Sequence, residues 1–263
     1  MRETPPPTDL LQSARQFLAI CALLLLSAAH SPAEDTLVKH TFDDGAESLN
    51  MMKVDGGSLQ TGSLEWVTAV DTEMNRNGVI NLGAGDEKKK SQRAFVALNS
   101  AITKGGKDDI YTLKIVIVNN AENTSILTGG FFTSTVNEPN VLGSHDKTDG
   151  IAWWYWRAKG EMKASAGPGF TAKEQPPHQL PGAGDEQTLT TVLDFTGYNG
   201  SDNLGTMSVY AGGTASGEPI FSAKFTEDNP FDYVGFTAQR FQETDAPVMS
   251  EIKSLTLTKG RQP

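Results

Sequence analysis

Beyond Glu34 the chain is a succession of short runs rich in β-branched and aromatic residues, each closed by glycine, asparagine or aspartate, with almost no helical periodicity. That rhythm belongs to an antiparallel sandwich or barrel. The runs are Thr36–Phe42, Leu64–Val70, Gly78–Leu82, Arg93–Leu98, Ile110–Asn119, Ile126–Phe132, Gly150–Arg157, Gln187–Phe195, Thr206–Tyr210, Ile220–Phe225, Asp232–Ala238 and Glu251–Thr258. Thr206–Tyr210 and Ile220–Phe225 flank a glycine-rich turn and read as a hairpin. Ile110–Asn119 is apolar on one face through Tyr111, Leu113, Ile115 and Ile117, and the other becomes apolar at Val116 and Val118. Such a strand belongs in the middle of a sheet. By contrast, Ala166–Glu186 carries Pro168, Pro176, Pro177 and Pro181, and prolines lack a ladder donor, so this is a surface loop and no central strand.

One strand stands apart. Gly150-Ile-Ala-Trp-Trp-Tyr-Trp-Arg157, followed by a turn and Glu161–Ser165, holds three of the four tryptophans. At a two-residue period Ile151, Trp153, Tyr155 and Arg157 face one way, and Ala152, Trp154, Trp156 and Ala158 the other. Both faces are aromatic. One must be core; the other is either covered by protein or open to a ligand, and a large exposed apolar patch marks a binding site.

The N-terminus has a different character. Arg2 and Arg15 precede the apolar run Phe17–Ala29, and Ser31-Pro-Ala33 supplies small residues before a cut at Glu34, with Ser27-Ala-Ala29 as an alternative. The run fits a signal-peptide core of about 7–15 residues and falls short of the roughly 20 that span a bilayer. Residues 1–33 are therefore expected to be a signal peptide and 34–263 one domain, secreted and extracytoplasmic. The single cysteine, Cys21, lies in the removed segment, which leaves no disulfide, thiolate metal site or cysteine nucleophile. The 263 residues include 22 basic and 32 acidic side chains, a net charge of −10. That balance disfavours nucleic acid and anionic membrane surfaces as partners.

The order of segments resembles the concanavalin A-like lectin and glucanase jelly roll, in the form of laminin G-like modules of secreted bacterial proteins. The pieces that carry the resemblance are His40–Gly45, Tyr111–Val118, Gly150–Trp156, Met207–Gly213, Phe231–Phe236 and Ile252–Leu257. The resemblance implies an all-β, two-sheet antiparallel jelly-roll sandwich over about residues 35–260, with the last strand returning beside the first. It leaves function open, since one sandwich serves lectins, glycanases and adhesion modules alike.

Glycanases of this fold place carboxylates on one strand in a Glu-x-Asp-x-(x)-Glu run, which is absent here. Nor is there a Gly-x-Ser-x-Gly nucleophile context, and the remaining histidines, His40, His145 and His178, are far apart in sequence. Asp43-Asp44, Asp146 with Asp149, and Glu227-Asp228 sit in turn contexts. No cofactor is expected beyond a possible structural calcium, for which Asp146, Asp149, Asp228 and Asn229 are oxygen donors without the spacing of a dedicated loop. The aromatic strand carries the ligand expectation: Trp153, Trp154, Tyr155 and Trp156 for stacking on sugar rings, with Arg157 beside them. The expected function is a non-catalytic lectin-like module binding carbohydrate or an extracellular protein. The alternatives are a polysaccharide-acting hydrolase or lyase, or a structural envelope or matrix protein without a small ligand.

Overall fold

Fourteen strands among the described residues assort into two antiparallel sheets of seven. The computed structural model describes residues 34–59, 64–68, 74–82, 91–106, 109–119, 125–133, 150–157, 161–167, 178–179, 184–240 and 249–260. Residues 1–33, expected from the sequence to be a signal peptide, and the candidate ligands Asp146 and Asp149 lie outside them. Glu34–Gln262 group as one compact unit. The two-sheet jelly-roll sandwich expected from the sequence is the architecture found.

The first sheet contains β1 (Asp35–Thr41), β14 (Met249–Lys259), β5 (Ile110–Asn119), β10 (Glu186–Asp194), β11 (Thr206–Ala211) and β12 (Phe221–Lys224) in that order, with β3 (Val79–Asn81) also paired to β14. The last strand lies beside the first, from Asp35 opposite Lys259 to Thr41 opposite Ser254. As its pattern demanded, β5 is flanked on both sides. The second sheet runs β2 (Trp66–Thr68), β4 (Ser91–Ala97), β13 (Tyr233–Arg240), β6 (Ser125–Phe132), β7 (Gly150–Arg157), β8 (Glu161–Ser165) and β9 (His178–Gln179). The short β9 falls in the proline-rich stretch read as loop. Among the described residues it pairs with β8 alone, at the end of the sheet.

The core lies between the sheets. Tyr111, Leu113, Ile115 and Ile117 of β5 are fully buried, as are Leu255 and Leu257 of β14 and Met207 and Val209 of β11. Facing them are Trp66, Ala94, Val96, Val234, Phe236, Leu127, Phe131, Trp154 and Trp156. Space for the large indoles comes from a glycine. A Cβ on Gly129 of β6 would lie 2.4 Å from Trp154 Cζ2 and 2.9 Å from Ile115 Cδ1. The Trp154 ring therefore lies over β6 because that strand has no side chain there.

His40 of β1 is a buried polar group at the edge of this core, 2% exposed. Its ring meets Phe42 at 4.7 Å and Trp66 at 5.3 Å, both edge-on. Nδ1 approaches Asp55 Oδ1 to 3.3 Å without the alignment of a hydrogen bond. Burial pushes the imidazole pKa down, against the opposing pull of Asp55 and Asp43. A depressed pKa means that the unfolded chain binds the proton more readily than the folded one. Stability from a neutral His40 is thus fully present above the unfolded value of about 6.5 and is lost as pH falls through the folded value. The urea midpoint should drop between pH 7.5 and 5.5, and His40→Phe should flatten that dependence. An equal slope in the variant would assign the effect elsewhere.

Candidate functional site

The tryptophan strand β7 sits inside the second sheet, between β6 and β8. Both of its faces are covered. Trp154 and Trp156, 0% and 1% exposed, point into the inter-sheet core, which removes them from the candidate ligand platform: they are packing residues. Trp153 and Tyr155 belong to the opposite, outward face, with ring centroids 6.1 Å apart and planes 28° from parallel. Each is 3% exposed, so the outward face is not the open aromatic surface that its sequence allowed. Arg157 closes the strand opposite Ile126.

Register assembles the rest of this face from other strands. Arg93, Thr237, Thr128, Tyr155 and Lys163 pair successively across β4, β13, β6, β7 and β8. Adjacent strands are about 4.8 Å apart, so the row spans roughly 19 Å. The next row holds Phe95, Gly235, Gly130, Trp153 and Ser165. A Cβ on Gly235 would lie 2.1 Å from the Ala94 carbonyl oxygen and 3.0 Å from Phe95 Cδ1, so the glycine lets the β4 backbone and the Phe95 ring close over it, and that ring meets Phe132 edge-on at 4.9 Å. The outward face is thus aromatic along one row and polar along the other.

Its polar members are buried. Thr128 and Thr237 are 1% exposed, Arg93 6% and Gln239 7%. Burial pulls the Arg93 guanidinium below its ordinary pKa. Thr128 Oγ1, at the middle of the row, has no hydrogen-bond partner among the described residues. A buried hydroxyl in that condition costs about 1–3 kcal/mol, and in native proteins it needs an explanation. Glu161 pairs with Lys163 at 3.2 Å at the β8 end.

Asp228 and Asn229, proposed from the sequence as calcium donors, contact a lysine. Lys104 Nζ contacts Asp228 Oδ1 and donates to the Asn229 carbonyl at 3.0 Å. Tyr198 donates to the second Asp228 oxygen at 2.5 Å. Both carboxylate oxygens are thereby engaged, and the hydrogen bonds from Lys104 and then Tyr198 hold the Asp228 pKa down. The same ammonium lies 5.2 Å from the Phe231 ring centre, 5.5 Å from Tyr198 and 5.6 Å from Phe195. No cluster of three or more metal-ligating side chains occurs among the described residues.

Sequence reading missed Arg93, Thr128, Thr237 and Gln239. A signal was available within β4, where Ser91, Arg93 and Phe95 alternate with Gln92, Ala94 and Val96, placing an arginine on a strand face rather than in a turn. The pairing of Arg93 with Thr237 and Thr128 was not, because it depends on register between distant segments.

No family model matches the chain, and no curated protein matches it. Among solved structures it is similar to the carbohydrate recognition domain of Emp47p, with 13% identity, 89% of this chain and 100% of that one covered, and a TM-score of 0.49. It is also similar to arcelin-5, a lectin-like defense protein from Phaseolus vulgaris, at 12% identity, 86% and 100% coverage and a TM-score of 0.46. A glycosyl hydrolase family protein from Mycobacterium fortuitum shows 12% identity, 85% and 99% coverage and a TM-score of 0.46. Likenesses at this level say nothing of ligand or reaction. The class defined by the chain's own sheets is the two-sheet antiparallel jelly-roll sandwich.

Proposed function

We propose that this protein is an exported, non-catalytic lectin-like module that binds a glycan on the outward face of its second sheet. The observation that carries the reading is the buried polar row beside the parallel Trp153–Tyr155 pair, with the Thr128 hydroxyl at its centre lacking a partner among the described residues. Sugar recognition needs that combination: an aromatic face for the C–H edge of the ring, and fixed hydroxyl, amide and guanidinium groups for its oxygens. Thr128, Thr237, Gln239 and Arg93 supply the second set.

The scarcity of carboxylates on the described strands of this face supports binding over hydrolysis. Strands β4, β13, β6, β7 and β8 contribute one acidic residue, Glu161, and Lys163 holds it. Glycoside cleavage by the usual route takes two carboxyl groups facing each other across the bond. Export rests on the charged start, apolar run and small-residue cleavage site of residues 1–33; N-terminal sequencing of the exported protein should begin at Glu34.

Because Trp153 and Tyr155 are 3% exposed in the free protein, a ligand reaches them only with rearrangement around them. Association should therefore be slower than the ordinary range of about 10⁵–10⁷ M⁻¹s⁻¹. Adding oligosaccharide should shift the intrinsic fluorescence, Trp153→Phe should abolish the shift, and Trp154→Phe should retain it. A shift unchanged in Trp153→Phe would place the ligand elsewhere.

A further inference from the structure

A second concavity lies apart from the outward face, where three loops meet: 98–106 between β4 and β5, 195–205 between β10 and β11, and 225–232 between β12 and β13. Its volume is about 340 Å³, and Ser100, Lys104, Tyr198, Asp228, Phe231 and Asp232 are among its walls. That is at the small end of the range of roughly 300–1,000 Å³ for ligand pockets.

The loops are fixed in advance. Asn199 Oδ1 accepts from the backbone of Ser201, Asp202 and Asn203 at 3.0 Å each, which shapes the turn carrying Tyr198. Thr103 and Gly106 both donate to Asp109, at 2.7 and 2.5 Å, and Lys259 pairs with the same carboxylate at 3.1 Å. The Lys104–Asp228–Tyr198 contacts then tie all three loops together.

Strain is concentrated at one wall. Asn99 and Ser100 have φ of 48° and 64°, and the Ala101 N–H donates to the Leu98 carbonyl at 2.9 Å, which closes a tight turn. Two consecutive left-handed residues suit Asn-Gly; serine at the second position is strained. Strain of this kind persists where a side chain is needed for something else. The Ser100 side chain lines the cleft, and neither it nor the Asp232 carboxylate has a hydrogen-bond partner among the described residues.

The lining chemistry selects a ligand class. Lys104 and Asp228 neutralise each other, which leaves Asp232 as the surplus charge and makes the cleft unfavourable to phosphate, sulfate or carboxylate. The Ser100 hydroxyl and Asp232 carboxylate are suited to the vicinal hydroxyls of a neutral polyol, and the half-buried Tyr198 offers apolar ring edge beside them. We propose that this cleft is a binding site for one neutral hexose unit, separate from the sheet face.

The test is a calorimetric or ligand-observed NMR titration of the full-length protein with methyl glycosides of glucose, galactose and mannose, and with inorganic sulfate as the anionic probe. At least one glycoside should bind. Asp232→Asn and Ser100→Gly should each weaken it on the order of tenfold, the loss of one hydrogen bond. Ser100→Gly should at the same time raise the melting temperature, because glycine relieves the left-handed strain. Trp153→Phe should leave this binding unchanged, which separates it from the sheet-face reading. Unaltered binding in both cleft variants would overturn the proposal. So would binding of sulfate in place of the glycosides, or no binding of any glycoside.

Discussion

Trp154→Ala should lower the unfolding free energy by about 3–5 kcal/mol and the melting temperature by roughly 10 °C. Trp154 is completely buried at the contact between the sheets, against Ile115 of the opposite sheet and over Gly129 of its neighbour strand. Truncation to alanine leaves a void that neither the β5 ladder nor the β6 backbone can collapse to fill. Trp154→Phe should cost markedly less. It retains an aromatic ring and removes an indole N–H that has no hydrogen-bond partner among the described residues. Urea unfolding of both variants checks this, and equal losses would mean that ring volume is not what matters at this position.

Gly129→Ala tests the same contact from the other side. Its new Cβ would sit 2.4 Å from Trp154 Cζ2 and 2.9 Å from both Trp154 Cη2 and Ile115 Cδ1. Real Cβ atoms do not approach that closely, so the indole must move within a packed core. The expected loss is about 1–3 kcal/mol, the usual cost of overpacking. Gly213→Ala is the control, since nothing lies within 4 Å of its added Cβ; it should be near neutral. The clashing atoms Cζ2 and Cη2 belong to the part of the indole that phenylalanine lacks. Gly129→Ala with Trp154→Phe should therefore be less destabilising than the two single effects added. Strict additivity would mean that the glycine serves some purpose other than making room for the ring.

These contacts also show where legibility in the sequence ended. The strands were readable because hydrophobic alternation and turn residues are local properties, and β5 even announced its central position through Tyr111–Ile117 on one face and Val116 and Val118 on the other. The return of β14 beside β1 came from the family resemblance. The two-residue β9 left no trace, since a strand that short has no period. For β7 the alternation gave the two faces correctly, but burial depends on what packs from other segments, and Trp154 and Trp156 were equally compatible with a platform and with core. The partner of Asp228 was not legible because Lys104, 124 residues earlier, is brought to it only by the fold. Arg93 and Thr128 were overlooked for the same reason.

The central claim is that the outward face of the second sheet takes a glycan. The most direct test is to apply the purified protein to an array of neutral and acidic oligosaccharides, in parallel with Trp153→Phe and Thr128→Val. The account predicts that the native protein binds a defined glycan set, part of which Asp232→Asn and Ser100→Gly leave unchanged; that part is lost in Trp153→Phe and weakened on the order of tenfold in Thr128→Val, with both of these variants folded by near-ultraviolet circular dichroism. Silence of the native protein across the array, or binding that both variants keep in full, would contradict it.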